Sequence, residues 1–405
     1  MGMTHWATAA AVVLAGLLHS PLALAQSPSA LIALAPQPAG EAWPTRAWTR
    51  SAPRGADPAA IAAAADAIMA APHPELGETR ALVIIQDGRL VFDRYAEGYT
   101  AKTRHVSWSA AKSITHALVG VAALEGRLNP DAPMGHPLWP SGQGFAQVTW
   151  RQWLQMTDGQ DWTEVDARTI LENGSAQALF GPGRLDVDRF CAQRPVRTRP
   201  GQSFRYNTCG ITLAAGGLGR LIAPQQAPDQ RRAALAAWMR ERLFGPIGMA
   251  SAVPEFDAQG TFLGGSLVYA TAEDFARFGY LYLRDGVWEN RRILPAGWVD
   301  FARFPQPAKE TDTYGAGFWI TPPTGDGVGW RSLIVGEGLR DAFSAQGRFG
   351  QVVLIVPSKD LVIVRLGQFS GDSGKSWDIL GDWMGALARQ FPDRPALSQP
   401  GPESR

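Results

Sequence analysis

HVSWSAAKSITHALVGVAAL, residues 105–124, sets a hydroxyl and an amine three positions apart, Ser109 and Lys112, where an apolar helix begins. Residues i and i+3 share a helical face with Cβ atoms ~5–6 Å apart, so the Lys112 amine can reach the Ser109 hydroxyl and take its proton. The helix N-terminus also presents free N–H groups to a developing oxyanion. By itself the pair is a coincidence expected in roughly one chain in three of this lysine content. Its surroundings say more: Gly98 to Leu124 contains no Asp or Glu, while Lys102, Arg104 and Lys112 are basic. A lysine on an apolar helix without a local counter-ion has its pKa pushed toward neutrality, from ~10.4 to ~7, a cost of about 4–5 kcal/mol that burial supplies. An acid brought in from elsewhere in the fold would oppose that shift.

The chain has 405 residues, 45% hydrophobic and 19% charged, enough for a large core. A formal net charge of +1 argues for no nucleic-acid partner. The first 25 residues carry an apolar run of about a dozen residues and end on Ala23-Leu24-Ala25, the pattern of a cleaved secretory signal. Residues 26–56 form a Pro/Ala-rich lead. The expected destination is the periplasm or the medium, with no stable membrane span after cleavage. In such a compartment Cys191 and Cys209 are either a disulfide worth ~3 kcal/mol or two buried thiols, and both readings stay open. The remaining histidines, His73, His105, His116 and His136, are scattered, so no metal site is expected.

Asp57-Pro58 opens an alanine-rich helix. ALVIIQ and RLVFDRY flank Asp87-Gly88, a two-residue hairpin signal. From about residue 126 to 260 the pattern is helical pieces between Gly/Pro loops. Strand signals return in GAGFWITP, DAFSAQG, QVVLIVP and LVIVRLGQ, and an amphipathic helix, SWDILGDWMGALARQF, precedes a tail, 392–405, read as disordered. The expected fold is α+β: an antiparallel sheet assembled from N- and C-terminal segments (57–125 and 261–391), flanked by helices, with a mainly helical insertion at 126–260.

Two further segments extend the opening pair. PGQSFRYNTCG (200–210) holds Tyr206-Asn207-Thr208 before an apolar helix, and a phenol beside a lysine can pass protons to a leaving group or a water. In DAFSAQGRFGQVVLIVP (341–357), Ala345-Gln346-Gly347 ends a strand, where glycine admits a substrate to the backbone and Arg348 can lend an oxyanion N–H.

Taken together and in this order, these residues resemble the serine β-lactamase and penicillin-binding-protein superfamily. The likeness is to its class C-like branch of esterases, D,D-peptidases and 6-aminohexanoate-dimer hydrolases, and it covers roughly residues 75–390. VTWRQWLQMTDGQDW, LFGPIGM, GGSLVYATAEDFARFGYLYLRDG, ILPAGWV and YGAGFW each resemble a stretch of that branch. The resemblance implies a β-lactamase/transpeptidase-like fold and a serine hydrolase without a cofactor. It implies that Ser109 is the acylated nucleophile, Lys112 its base, and Tyr206 the group that protonates the leaving atom and activates water. The N–H groups of Ser109 and Arg348 would form the oxyanion hole, with Gln346, Gly347 and Trp162 beside the substrate.

Two departures narrow the implied activity. Thr208 stands where β-lactamases have Asn, as in the Tyr-Asn-Ser/Thr form of the 6-aminohexanoate-dimer hydrolases, and Ala345-Gln346-Gly347 replaces Lys-Thr-Gly, removing a lysine that holds the β-lactam carboxylate. The expectation is therefore an esterase or amidase on a small-molecule substrate. A D,D-peptidase, a weak β-lactamase and a non-catalytic binding protein are the alternatives. Asp161 falls in the same polar loop as Trp162, and His116 reads as a core histidine. Substrate, oligomeric state and the role of the Arg348 side chain are left open by the residues.

Overall fold

The computed structural model describes residues 31–395 apart from 143, 309–310, 312, 322–337 and 372–373. The expected signal segment, most of the 392–405 tail and part of the 322–342 loop lie outside the described residues.

Helix α1 (Pro58–Met69), capped by the Asp57 side chain, precedes the hairpin of β1 (Glu78–Gln86) and β2 (Arg89–Tyr95). At its turn Asp87 and Gly88 both take positive φ, 50° and 78°, as a two-residue turn matched to strand twist requires. Strand β3 (His105–Val106) leads through a 3-10 turn (Trp108–Ala110) into α2 (Ala111–Leu124). Then come α3 (Trp150–Leu154), α4 (Gly174–Leu179), α5 (Val187–Ala192), α6 (Thr208–Ile222) and α7 (Pro228–Met239), which ends in a π turn. Strand β5 (Val268–Ala270) pairs with both β3 and β4 (Val253–Pro254), and α8 (Ala272–Leu283) follows. After the hairpin β6 (Val287–Trp288) and β7 (Arg291–Arg292) come α9 (Trp298–Arg303) and β8 (Trp319–Ile320). The chain then runs through β9 (Phe343–Gly347), β10 (Gln351–Val356) and β11 (Leu361–Gln368) to α10 (Gly374–Arg389).

The main sheet has the order β2-β1-β11-β10-β9-β8, with antiparallel neighbours throughout, so the N-terminal hairpin closes against the last strand. This is the α+β arrangement the strand runs at the two ends of the chain implied. Both faces are buried. Val83 and Ile85 enter one core with α2, α6 and α8, while Leu82 and Ile84 enter the other with α1 and α10. Two-sided burial explains why β1 reads as a continuous apolar run: each Val, Leu or Ile withdrawn from water contributes about 1.5–3 kcal/mol. Helix α8 lies close against the sheet at Gly279, where a Cβ would come 2.7 Å from a Val353 methyl.

Helix α2 is the hub of the larger core. Every residue from Ala111 to Ala122 is buried, including Lys112, Ser113, Thr115 and His116. Buried polar groups need partners. Ser113 donates to the Gly317 carbonyl at 2.6 Å and Thr115 to the Gly264 carbonyl at 2.8 Å, and a His116 ring nitrogen lies 2.7 Å from the Tyr282 hydroxyl. Burial pushes the His116 pKa down to about 3, so it is the neutral core histidine expected. Among the described residues no helix is long and apolar enough to cross a membrane.

Candidate active site

Ser109 is not in the first turn of α2 but in the 3-10 turn ahead of it. The residue before it, Trp108, has φ 44°, a left-handed conformation that costs a bulky side chain energy and persists where surrounding contacts hold it. Ser107 supplies those contacts. Its N–H donates to the Val268 carbonyl at 2.8 Å, while its Oγ accepts from Val268 N at 3.0 Å and donates toward Ser266 O at 3.3 Å. The Ser109 turn is thereby pinned to segment 266–268.

From that turn Ser109 meets Lys112, whose Nζ lies 2.9 Å from Ser109 Oγ. The amine is buried and makes two further contacts, to Thr208 Oγ1 at 2.8 Å and the Gly265 carbonyl at 2.7 Å. Thr208 in turn donates its hydroxyl proton to Glu164 Oε1 at 2.7 Å. A neutral amine has two N–H groups and one lone pair. The Gly265 carbonyl can only accept, and the Thr208 oxygen, its proton committed to Glu164, must accept as well. Both N–H groups are used, and the lone pair is left for the Ser109 hydroxyl.

Burial lowers the Lys112 pKa to about 8, with the charge of Glu164 working against the shift. The opposing acid thus comes from elsewhere in the fold, and it does not reverse the direction expected from the apolar helix. The Glu164 carboxylate is itself fully engaged: Oε2 accepts from Trp162 Nε1 at 2.7 Å and from Thr208 N at 2.9 Å.

Tyr206 precedes α6, which Asn207 caps by accepting from Gly210 N at 3.0 Å. Its phenol is hydrogen-bonded to Ser109, and burial, reinforced by Glu164, pushes its pKa well above the usual tyrosine range. The Lys112 amine lies 4.7 Å from the centroid of the Tyr206 ring, and Trp319 stacks on that ring at 5.2 Å. The phenol is therefore protonated at neutral pH and aimed at the serine oxygen.

Strand β9 brings the third segment. A Cβ at Gly347 would sit 2.0 Å from the Ser107 carbonyl, so only glycine lets the strand approach the Ser109 turn this closely. Beyond it the turn 347–351 is held from behind by Arg365, buried on β11, which donates to the Phe349 and Gly350 carbonyls at 3.1 and 2.9 Å. Ser109, Tyr206, Gln346, Gly347 and Arg348 line one cavity of about 760 Å³, together with Glu164 and Trp319. Of the Arg348 side chain, the guanidinium carbon lies 4.8 Å from the Phe349 ring centroid.

Trp162 lies elsewhere than Tyr206 and Gln346. A substrate-side position was expected; Trp162 is buried and lines a second cavity of about 300 Å³ with Asp161 and Arg194. A buried indole N–H needs an acceptor, and Glu164 turns it inward. Asp161 instead pairs with Arg197 at 3.3 Å. The sequence reading missed Glu164, the role of Thr208 as a lysine partner, and the Gly265 carbonyl. The Gly264-Gly265-Ser266 run before β5 and the threonine directly after Tyr-Asn were the available signals, whereas nothing local marks Glu164.

The chain is 25% identical over 351 residues to the 6-aminohexanoate-dimer hydrolase of Paenarthrobacter ureafaciens, covering 84% of this chain and 86% of that protein. A Bacillus anthracis structure assigned as a 6-aminohexanoate-dimer hydrolase superposes with a TM-score of 0.62 at 23% identity, over 78% of this chain and 80% of that one. A family VIII carboxylesterase structure shares the fold at TM-score 0.51 and 16% identity, over 75% and 92% of the two chains. Residues 78–378 match the Beta-lactamase family, and the chain belongs to it as a serine hydrolase of the β-lactamase and penicillin-binding-protein type with the β-lactamase/transpeptidase-like fold.

Proposed function

We propose that this protein is an exported hydrolase that cleaves an ester or amide through an acyl-serine intermediate. Ser109 is the nucleophile, Lys112 its base and Tyr206 the proton donor to the leaving group. The observation that carries the reading is the proton inventory at Lys112, whose two other partners both demand N–H and leave the lone pair for Ser109.

In acylation the Ser109 proton moves to Lys112 as Oγ bonds the carbonyl carbon. The oxyanion is met by the Ser109 and Arg348 N–H groups, each donor worth about 3–4 kcal/mol. The C–N or C–O bond then breaks. Tyr206 gives its proton to the departing atom and is refilled from Lys112, which becomes neutral again. In deacylation a water loses its proton through the phenol to Lys112 and attacks the acyl carbon, and Ser109 leaves with that proton. The high Tyr206 pKa suits a donor that is refilled at once.

Similarity to a 6-aminohexanoate-dimer hydrolase over most of both chains supports amide cleavage, and the esterase-like fold supports esters. Export is supported by the apolar N-terminal run and by the Cys191–Cys209 disulfide, a bond that persists in oxidising compartments.

The test is intact-mass detection of an acyl-enzyme, together with fluorophosphonate labelling and turnover of p-nitrophenyl esters, nitrocefin, D-Ala-D-Ala peptides and linear amide oligomers. Ser109→Ala should abolish labelling and turnover with the fold retained. An unchanged rate in that variant overturns the mechanism.

A further inference from the structure

We propose that this site takes esters or amides bearing a large apolar group, of about six carbons or more, seated between the 165–180 flap and Trp108. The inference rests on the acyl-serine reading and names a substrate class for it.

The cavity that contains Ser109 is lined on the flap by Val165, Ile170, Leu179 and Phe180, and elsewhere by Trp108, Trp319 and Trp377. The ring of Phe180 meets that of Trp108, the residue next to the nucleophile, edge-on with centroids 6.5 Å apart. The flap is a built wall. Its base closes where Gly174 N donates to the Thr163 carbonyl at 2.7 Å and Asn173 Nδ2 to the Glu164 carbonyl at 2.8 Å, and Asn173 caps α4.

Large apolar side chains are left in water along this same segment. Ile170 is 63% exposed and Phe180 61%, while Leu171, 79% exposed, lines the second cavity instead. Scattered exposed leucines need no explanation, but two large exposed apolar residues at the rim of the Ser109 cavity mark a surface that a ligand covers. Ile170 and Phe180 reach from that rim into the cavity wall.

The charges point the same way. Among the described residues lining the cavity the acid is Glu164, and both its oxygens are already used by Trp162 and Thr208. Its charge acts on the buried Lys112 amine, and Arg348, which lines the same cavity, is itself cationic. An apolar body, not a cationic chain, matches these walls.

The experiment uses the purified protein and two series below their critical micelle concentrations. One is p-nitrophenyl esters from acetyl to octanoyl, the other acetate esters of aryl and alkyl alcohols of increasing size. We expect kcat/KM to rise by about 2- to 4-fold per methylene in at least one series, as each buried CH2 contributes. Ile170→Ser/Phe180→Ser should cut the ratio between the longest and shortest members by about tenfold or more.

A flat or falling profile in both series, with Ser109→Ala still abolishing turnover, overturns this inference and leaves the acyl-serine reading intact. If no ester or amide is turned over and Ser109 takes no label, the underlying reading fails and this one with it. A Phe180 variant that changes only self-association, with the chain-length ratio unmoved, assigns the apolar rim to contact between copies and also overturns it.

Discussion

Thr208 Oγ1 lies 2.8 Å from Lys112 Nζ, and its own proton is given to Glu164. A residue with no part in bond-making thus decides how the base is oriented: it holds one amine N–H, and the carbonyl of Gly265 holds the other.

Thr208→Val removes that acceptor while keeping the shape. The freed N–H then competes for Ser109, and we expect kcat to fall about 10- to 100-fold with little change in KM. Thr208→Ser, which keeps the hydroxyl, should restore most of the rate. Steady-state kinetics on one ester substrate checks both.

The pH dependence follows from Lys112. Its pKa of about 8 means that the reactive neutral amine is the minor form at pH 7, so kcat/KM should rise with pH along a limb centred near 8. Glu164 favours the charged amine. Removing its charge in Glu164→Gln therefore lowers the Lys112 pKa, and the limb should move to lower pH. A limb that stays in place would show that Lys112 does not set it.

Gly347→Ala tests the close approach of β9. The added methyl collides with the Ser107 carbonyl, which is backbone and cannot swing aside, so the strand must retreat from the Ser109 turn. Loss of one oxyanion donor lowers kcat about 10²- to 10³-fold. The expected result is a loss of that size with native circular dichroism.

Cys191 on α5 and Cys209 on α6 form a disulfide with a sequence separation of 18. Tyr206 and Thr208 lie inside the closed loop. Replacing both cysteines by serine should lower stability by ~3 kcal/mol, because the unfolded chain regains that loop's freedom. Denaturant unfolding of the variant against the oxidised protein measures it.

Much of the architecture was legible because it depends on local chemistry. The Asp87-Gly88 turn, the apolar runs of β10 and β11 and the Asp57 cap each carry their own signal, and the antiparallel sheet follows from them. The short strands β3, β4 and β5 were not legible. Two or three residues show no periodicity, and their pairing, His105 with Ala270 and Val253 with Tyr269, exists only once the fold has brought distant segments together.

By itself the sequence determined the groups proposed to react: a serine and a lysine spaced for one helical face, a tyrosine before a helix, and a glycine at a strand end. The tertiary structure alone decided what surrounds them. It set Ser109 in the turn ahead of the helix, brought Glu164 to Thr208, and bound the buried Trp162 indole to Glu164. Spacing along one helix is a local property, readable from a few residues. The direction of a lone pair depends on which carbonyls and hydroxyls from residues 208 and 265 arrive around the amine, and that is settled only by packing.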